Sequence, residues 1–403
     1  MHSNPSLPSL GVRHRVSGLN STFTTDSIAF ASYIERSRAM ISRARICDDQ
    51  ALLEKIIEGN SPFELNPSAG STAGQHNKYR RGILLIHGLT DSPYSMRYLA
   101  AFFQEQGFRV MAILLPGHGT QPGDLLEVTW QEWAKAVSYG VEMLASEVDE
   151  VFMGGLSAGA ALSILQCQRD DRIRGLFLFS PALEVSQKAA YANFHKLYSG
   201  LKPSAKWVNI MPDRDIYKYE SFPKNAAAQI HALIREINWQ ENMVSTPVFI
   251  AASTDDATVN SDATLKFFAR TKNRNSRMVL YCTDTQNISP TISGEILGRI
   301  PSEKLEMVDS VLSDKRILSA AHTSIVLPSG DAHYGEHGDY ANCLHYYPDE
   351  PDRYAACIAN PESTYLGEIT SNNLQAGLLR RLMYNPNFDA LKASMSRFIE
   401  SLP

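Results

Sequence analysis

The chain has 403 residues, 44% of them hydrophobic, which is enough for one large domain with insertions or two ordinary domains and argues against intrinsic disorder. A formal net charge of -5 gives no basic face for nucleic acid. The longest apolar runs, such as 83–86 and 111–115, fall far short of the ~20 residues that a membrane-spanning helix needs.

Residues 1–21 lack a continuous apolar stretch of the signal-peptide kind, so a mobile start and a cytoplasmic location are expected. Thr25 or Asp26 can cap a helix in which Phe30, Tyr33, Ile34, Ile41 and Ala44 recur at helical spacing. Arg36, Arg38, Arg43 and Arg45 lie on that same core-packing segment, which argues against a targeting helix. A second short helix over 52–57 is expected to end at Gly59, and the Ser-, Gly- and Ala-rich stretch 66–75 reads as a loop. Residues 1–80 thus form a helical extension before a main domain at 81–403.

From Gly82 strands and helices alternate: strands at 83–86, 109–115, 150–154 and 175–179, helices at 96–106, 130–144 and 158–168. This pattern predicts an α/β fold with a mostly parallel sheet flanked by helices. At 184–245 the alternation lapses into a segment rich in aromatic residues (Tyr191, Phe194, Tyr198, Trp207, Tyr217, Tyr219, Phe222), read as an inserted lid. Strands at 247–252 and 278–282 with a helix at 264–269 resume the core; 284–315 and 323–383 are taken as late loop insertions, and 388–402 as a closing amphipathic helix. Cys47, Cys167, Cys282, Cys343 and Cys357 show no metal-ligand spacing and suit a reduced state; a disulfide between Cys343 and Cys357 stays open.

Chemistry is concentrated in two turns. Gly155-Leu156-Ser157-Ala158-Gly159 is a G-x-S-x-G sequence directly between a predicted strand and a predicted helix. A serine in such a turn is held in a strained conformation that exposes its hydroxyl, and the glycines remove side chains that would collide. Ser157 is therefore the candidate nucleophile. The spacing of its glycines with Gly154 does not make a dinucleotide fingerprint. His87-Gly88-Leu89 follows the strand at 83–86, where turn N–H groups can serve an oxyanion; the N–H groups of Leu89 and Ala158 are the candidates. His87 is read as shaping its turn rather than as a base, and Pro116-Gly117-His118-Gly119 as a turn after the next strand.

Leu85-Ile86-His87-Gly88, Pro116-Gly117-His118-Gly119 and Gly155-Leu156-Ser157-Ala158-Gly159, in this order, resemble the carboxylesterase, monoacylglycerol lipase and lysophospholipase branch of the α/β-hydrolases, closely over 82–183 and again over 246–260. The resemblance implies an eight-stranded sheet, a lid, no cofactor, and catalytic residues in the order serine, acid, histidine. It favours Asp256 over Asp255 as the acid, because Val259 supplies the apolar residue the family carries three positions later; Asp255 is then expected to be a solvated neighbour. The chain departs from the family in its base, since no histidine occurs between Asp256 and Ala321. His322, after a run at 316–321 that reads as a strand, is preferred, with His333, His337 and His345 as alternatives in a Gly- and Tyr-rich loop.

His333-Tyr334-Gly335-Glu336-His337 fits an H-x-x-E-H zinc pattern, but Pro328, Gly330, Gly335 and Gly338 oppose the helix it needs, and no metal is expected. The expected activity is cleavage of a carboxylic ester, with an apolar acyl group favoured by the lid. The rivals are a serine peptidase or amidase, an acyltransferase, and a silent binding protein on the same scaffold.

Overall fold

A computed structural model describes residues 9–24, 28–68, 78–184, 203–284 and 294–402, which form two units: 9–177 with 203–246, and 178–184 with 247–402.

The first unit opens with helices α1 (Phe30–Ala44) and α2 (Gln50–Asn60) and a short strand β1 (Phe63–Leu65). Thr25 and Asp26 lie outside the described residues; α1 starts at Phe30 with Ala29 as its cap. Tyr33 of α1 ties it to the residue just past the strand Phe108–Ile113, its hydroxyl donating to Leu114 O (2.9 Å) and accepting from Leu114 N–H (3.0 Å). The Asp49 carboxylate caps α2, accepting the N–H groups of Ala51 and Leu52 at 2.9 and 3.1 Å. Gly59 does not end this helix: a Cβ there would stand 2.1 Å from the Tyr217 ring, so the glycine admits that ring.

Nor are residues 9–24 the mobile start expected. Ser17 donates through its N–H and hydroxyl to Asp124 (2.6 and 2.7 Å), while Asn20 donates to His118 O (2.6 Å) and accepts from Gly117 N–H (2.7 Å). Composition missed this because polar pairing, rather than apolar burial, fastens the segment.

Strand β2 (Tyr79–Ile86) pairs in parallel with β3 (Phe108–Ile113) and β4 (Val148–Leu156), while β1 runs antiparallel to β3. With β5 (Ile173–Phe179), along which the chain leaves this unit, the order is β1-β3-β2-β4-β5. Every residue of β3 is buried, as in a strand covered on both faces. The helices α3 (Arg97–Glu105), α4 (Trp130–Glu147) and α5 (Ala158–Arg169) pack against β3, β2 and β4. The approach of α4 is close enough that a Cβ on Gly140 would stand 2.8 Å from Leu84. The register Ile86↔Ile113 and Ile86↔Gly155 levels the carboxyl ends of β2, β3 and β4. The turns that follow these three strands therefore share one edge, the edge where open α/β sheets place their sites.

Of the expected lid, Tyr191, Phe194 and Tyr198 lie outside the described residues. The described part holds β6 (Trp207–Asn209) and β7 (Phe222–Pro223), paired antiparallel, and the helix Lys224–Ile237. Trp207, Tyr217 and Tyr219 are buried, in ring contact with His14 (4.9 Å), Tyr94 (3.8 Å) and His118 (6.2 Å).

The second unit carries three parallel strands in the order β8 (Val248–Ser253), β9 (Arg277–Cys282) and β10 (Leu305–Asp309). Two expectations change here. The stretch 284–315 is not merely an insertion, since it supplies β10; Glu306 and Asp309 hid the strand from an apolar-run reading. Residues 316–321 are not a strand: Arg316 turns left-handed at φ 53°, Ile317 folds back on Leu312, and Leu318 N–H donates to Leu366 O (2.8 Å).

Within 323–383 lie the helix Pro351–Ala359 and a parallel pair, β11 (Tyr365–Gly367) and β12 (Leu379–Arg381). The disulfide left open in the sequence forms, against the generally reduced state favoured there: Cys343 and Cys357 are bonded, buried with Tyr346 and Tyr354, while Cys47, Cys167 and Cys282 are free. The C-terminal helix Phe388–Glu400 lays Phe398 against Phe249 of β8, with ring centroids 5.7 Å apart. No helix among the described residues is long and apolar enough to cross a membrane.

Candidate active site

Ser157 occupies the turn between β4 and α5 with φ 54° and ψ −110°, a conformation unfavourable for any residue with a side chain. Its flanking glycines permit the turn. A Cβ on Gly155 would stand 2.2 Å from the Gly159 carbonyl carbon, and one on Gly159 would stand 2.1 Å from Ile86 O. Helix α5 begins at Ala158, whose N–H, like the others of a first helical turn, has no partner within the helix.

The turn after β2 lies alongside. A Cβ on Gly88 would stand 3.6 Å from Ser157 Cβ, so this backbone and the serine turn are neighbours. Two neutral imidazoles hold it. His87 Nε2 accepts from Leu115 N–H (3.1 Å), so its Nδ1–H donates to Gly88 O (2.8 Å); burial, and then the neighbouring His118, push its pKa well below the usual histidine value. His118 Nε2 accepts from Thr90 N–H (3.1 Å), its Nδ1–H donates to Pro116 O (3.0 Å), and burial lowers its pKa to about 4. Thr90, at φ 66°, accepts Tyr219 N–H (2.7 Å). Both histidines are thus engaged in shaping turns.

The second unit brings Asp256 and His322 together. His322 Nδ1–H donates to Asp256 Oδ2 at 2.6 Å, and the side chains are 8% and 2% exposed. The other carboxylate oxygen accepts the N–H groups of Thr258 (2.8 Å) and Val259 (2.9 Å). Burial pushes the Asp256 carboxyl up, but the His322 imidazole and these hydrogen bonds outweigh it and hold the pKa below the usual aspartate value. Asp255 is not the solvated neighbour expected. It is half-buried, and burial, with a smaller contribution from Glu368, pushes its carboxyl up to about 6.

The alternative histidines stand in other surroundings. His333 Nδ1 is paired with Asp339 and its ring packs on Tyr334 and Tyr340; His337 is exposed; His345 packs on Tyr346, and burial lowers its pKa to about 4. The H-x-x-E-H segment forms successive turns rather than a helix.

Glu368 and Arg381 escaped sequence reasoning. Glu368 is fully buried, accepts His322 N–H at 2.9 Å, and is ion-paired with Arg381. Glu368 directly follows one three-residue strand and Arg381 ends another, beside Arg380, inside a segment taken for a loop, a setting with no periodic signal.

Parallel strands ending in a strained serine turn and a turn held by neutral histidines, with a separate strand-end carboxylate bonded to an imidazole, define an α/β-hydrolase. Residues 77–283, just over half of the chain, match the family model described as serine aminopeptidase, S33, and the chain belongs to this family. It is similar to a thermostable monoacylglycerol lipase of Bacillus sp. (strain H-257), 27% identical over 186 residues that cover 44% of this chain and 71% of the lipase. A carboxylesterase of Bacillus subtilis (strain 168) is 24% identical over 191 residues, 45% of this chain and 75% of the esterase. The solved structure of a monoacylglycerol lipase from Paleococcus ferrophilus superposes with a TM-score of 0.43 at 19% identity, covering 55% of this chain and 88% of that one.

Proposed function

We propose that this chain cleaves carboxylic esters through an acyl-enzyme. Ser157 attacks the ester carbonyl, His322 takes its proton, and Asp256 fixes the imidazole tautomer and stabilises the imidazolium. The N–H groups of Leu89 and Ala158 stabilise each oxyanion, and His322 then activates water to release the acid. The observation that carries the reading is the 2.6 Å Asp256–His322 bond, which supplies an oriented base in a chain lacking a histidine at the family's usual place.

Similarity to the lipase and the carboxylesterase supports an ester with an acyl chain as substrate. Trp207, Tyr217 and Tyr219 no longer add to that argument, because they are engaged in internal packing. A fluorophosphonate probe should label the peptide containing Ser157, read by mass spectrometry; an unlabelled peptide in folded protein would favour a silent scaffold. The family description names an aminopeptidase, and paired ester and arylamide substrates of one acyl group separate the two activities, with the ester expected to be the one turned over.

On location, the Cys343–Cys357 disulfide weighs against the cytoplasmic reading, because reducing compartments keep such thiols apart. Alkylating the protein after denaturation but before reduction, so that the buried Cys282 is also reached, should modify three of its five cysteines. Modification of all five would restore the cytoplasmic reading.

A further inference from the structure

We propose that Glu368 and Arg381, both supplied by the late segment 323–383, are positioning residues that lock the His322 and Asp256 turns into one unit; this rests on the triad reading above. The contacts close a ring. His322 Nδ1–H donates to Asp256 (2.6 Å), and Asp256 accepts Thr258 N–H (2.8 Å). The Thr258 hydroxyl oxygen accepts from Arg381 Nη2 (2.7 Å), which also donates to Glu368 (3.0 Å), and Glu368 accepts His322 N–H (2.9 Å). Glu368 follows β11 directly and Arg381 ends β12, so the pairing of these two short strands sets both charges at once. Ser319 and Ile369 complete the glutamate's setting: Glu368 N–H donates to Ser319 Oγ (3.0 Å) and Ile369 N–H to Glu368 Oε1 (2.8 Å).

The arrangement answers a problem particular to this chain. Its base follows an irregular stretch instead of a sheet strand, so strand hydrogen bonds do not fix the His322 backbone. A buried carboxylate on the His322 N–H, itself fixed by an arginine that reaches the acid turn, replaces that support. Buried charge pairs of this sort are better suited to specifying one geometry than to adding stability.

Glu368→Gln, Arg381→Met and Thr258→Ala test the proposal, with Ser157→Ala as control, each confirmed folded by circular dichroism. The readouts are kcat, KM and the pH profile of kcat/KM. Glu368 is fully buried, so KM should hold while kcat falls by about tenfold to a hundredfold in Glu368→Gln, as misplacement of a reacting group does. Among the described residues, Glu368 after β11 and Arg381 at the end of β12 are the charged groups, beyond Asp256 itself, hydrogen-bonded to the His322 and Thr258 positions, and Asp255, next to Asp256 in the chain, is near Glu368. Removing the glutamate charge disfavours imidazolium and should move the acidic limb to lower pH. Removing the arginine charge should move it to higher pH, and a merely structural role would not give these opposite shifts. Thr258 is exposed, so Thr258→Ala breaks the ring without opening the buried pair and decides the matter if the charge variants do not fold; its kcat should fall by roughly threefold to tenfold. Wild-type kcat and an unmoved limb in the folded variants, beside an inactive Ser157→Ala, overturn the positioning role alone. An active Ser157→Ala overturns the triad reading and this proposal with it.

Discussion

Ser157→Ala should abolish hydrolysis of short p-nitrophenyl esters, lowering kcat by a factor on the order of a million, the scale reported for removing the serine of such a triad. That corresponds to roughly 8 kcal/mol of transition-state stabilisation, far above what a packing change at a half-buried position produces. Alanine keeps the Cβ and therefore keeps the steric demand of φ 54°, so the turn held by Gly155 and Gly159 should survive. Thermal unfolding of the variant should track wild type within a few degrees, which separates loss of the nucleophile from loss of the fold. Residual turnover near wild type would remove Ser157 from the mechanism.

The parts legible in the sequence are those where local chemistry and local conformation coincide. Gly155, Ser157 and Gly159 are demanded by a single turn, and each has a steric reason visible within five residues. His87 was readable as a shaping residue, and 116–119 as a turn, because both follow predicted strands; the structure engages both ring nitrogens of His87 and of His118. Asp256 was marked by Val259, which is buried and donates its N–H to the carboxylate. What escaped depends on distant partners. Strand β10 carries charged residues and is recognisable only through its register with β9. Asp255 and Asp256 are adjacent in the chain, yet one meets an imidazole and is held ionised while the other meets burial near Glu368 and is pushed up. The fastening of residues 9–24 and the burial of Tyr217 against Gly59 likewise join positions far apart in the chain.

His322→Ala should lower kcat by several orders of magnitude, with His333→Ala and His337→Ala remaining near wild type. A serine hydroxyl is a weak nucleophile until a neighbour accepts its proton, and imidazole is the side chain whose ordinary pKa lies closest to neutrality. Of the late histidines, His322 is the one bonded to Asp256, which leaves its Nε2 for proton transfer. His333 is committed to Asp339, and His337 is exposed on a turn. The carboxylate should also show in the pH dependence of stability. The Asp256 carboxyl is held below its unfolded value, so its contribution to stability is present above the unfolded pKa and is lost as pH falls through the folded one. Acid unfolding of Asp256→Asn should accordingly be less steep than that of wild type, while its turnover at neutral pH drops by a factor on the order of ten thousand, because the amide favours the wrong imidazole tautomer. Equal activity in His322→Ala and wild type, or a large loss in His333→Ala instead, would move the base elsewhere and leave the Ser157 assignment standing.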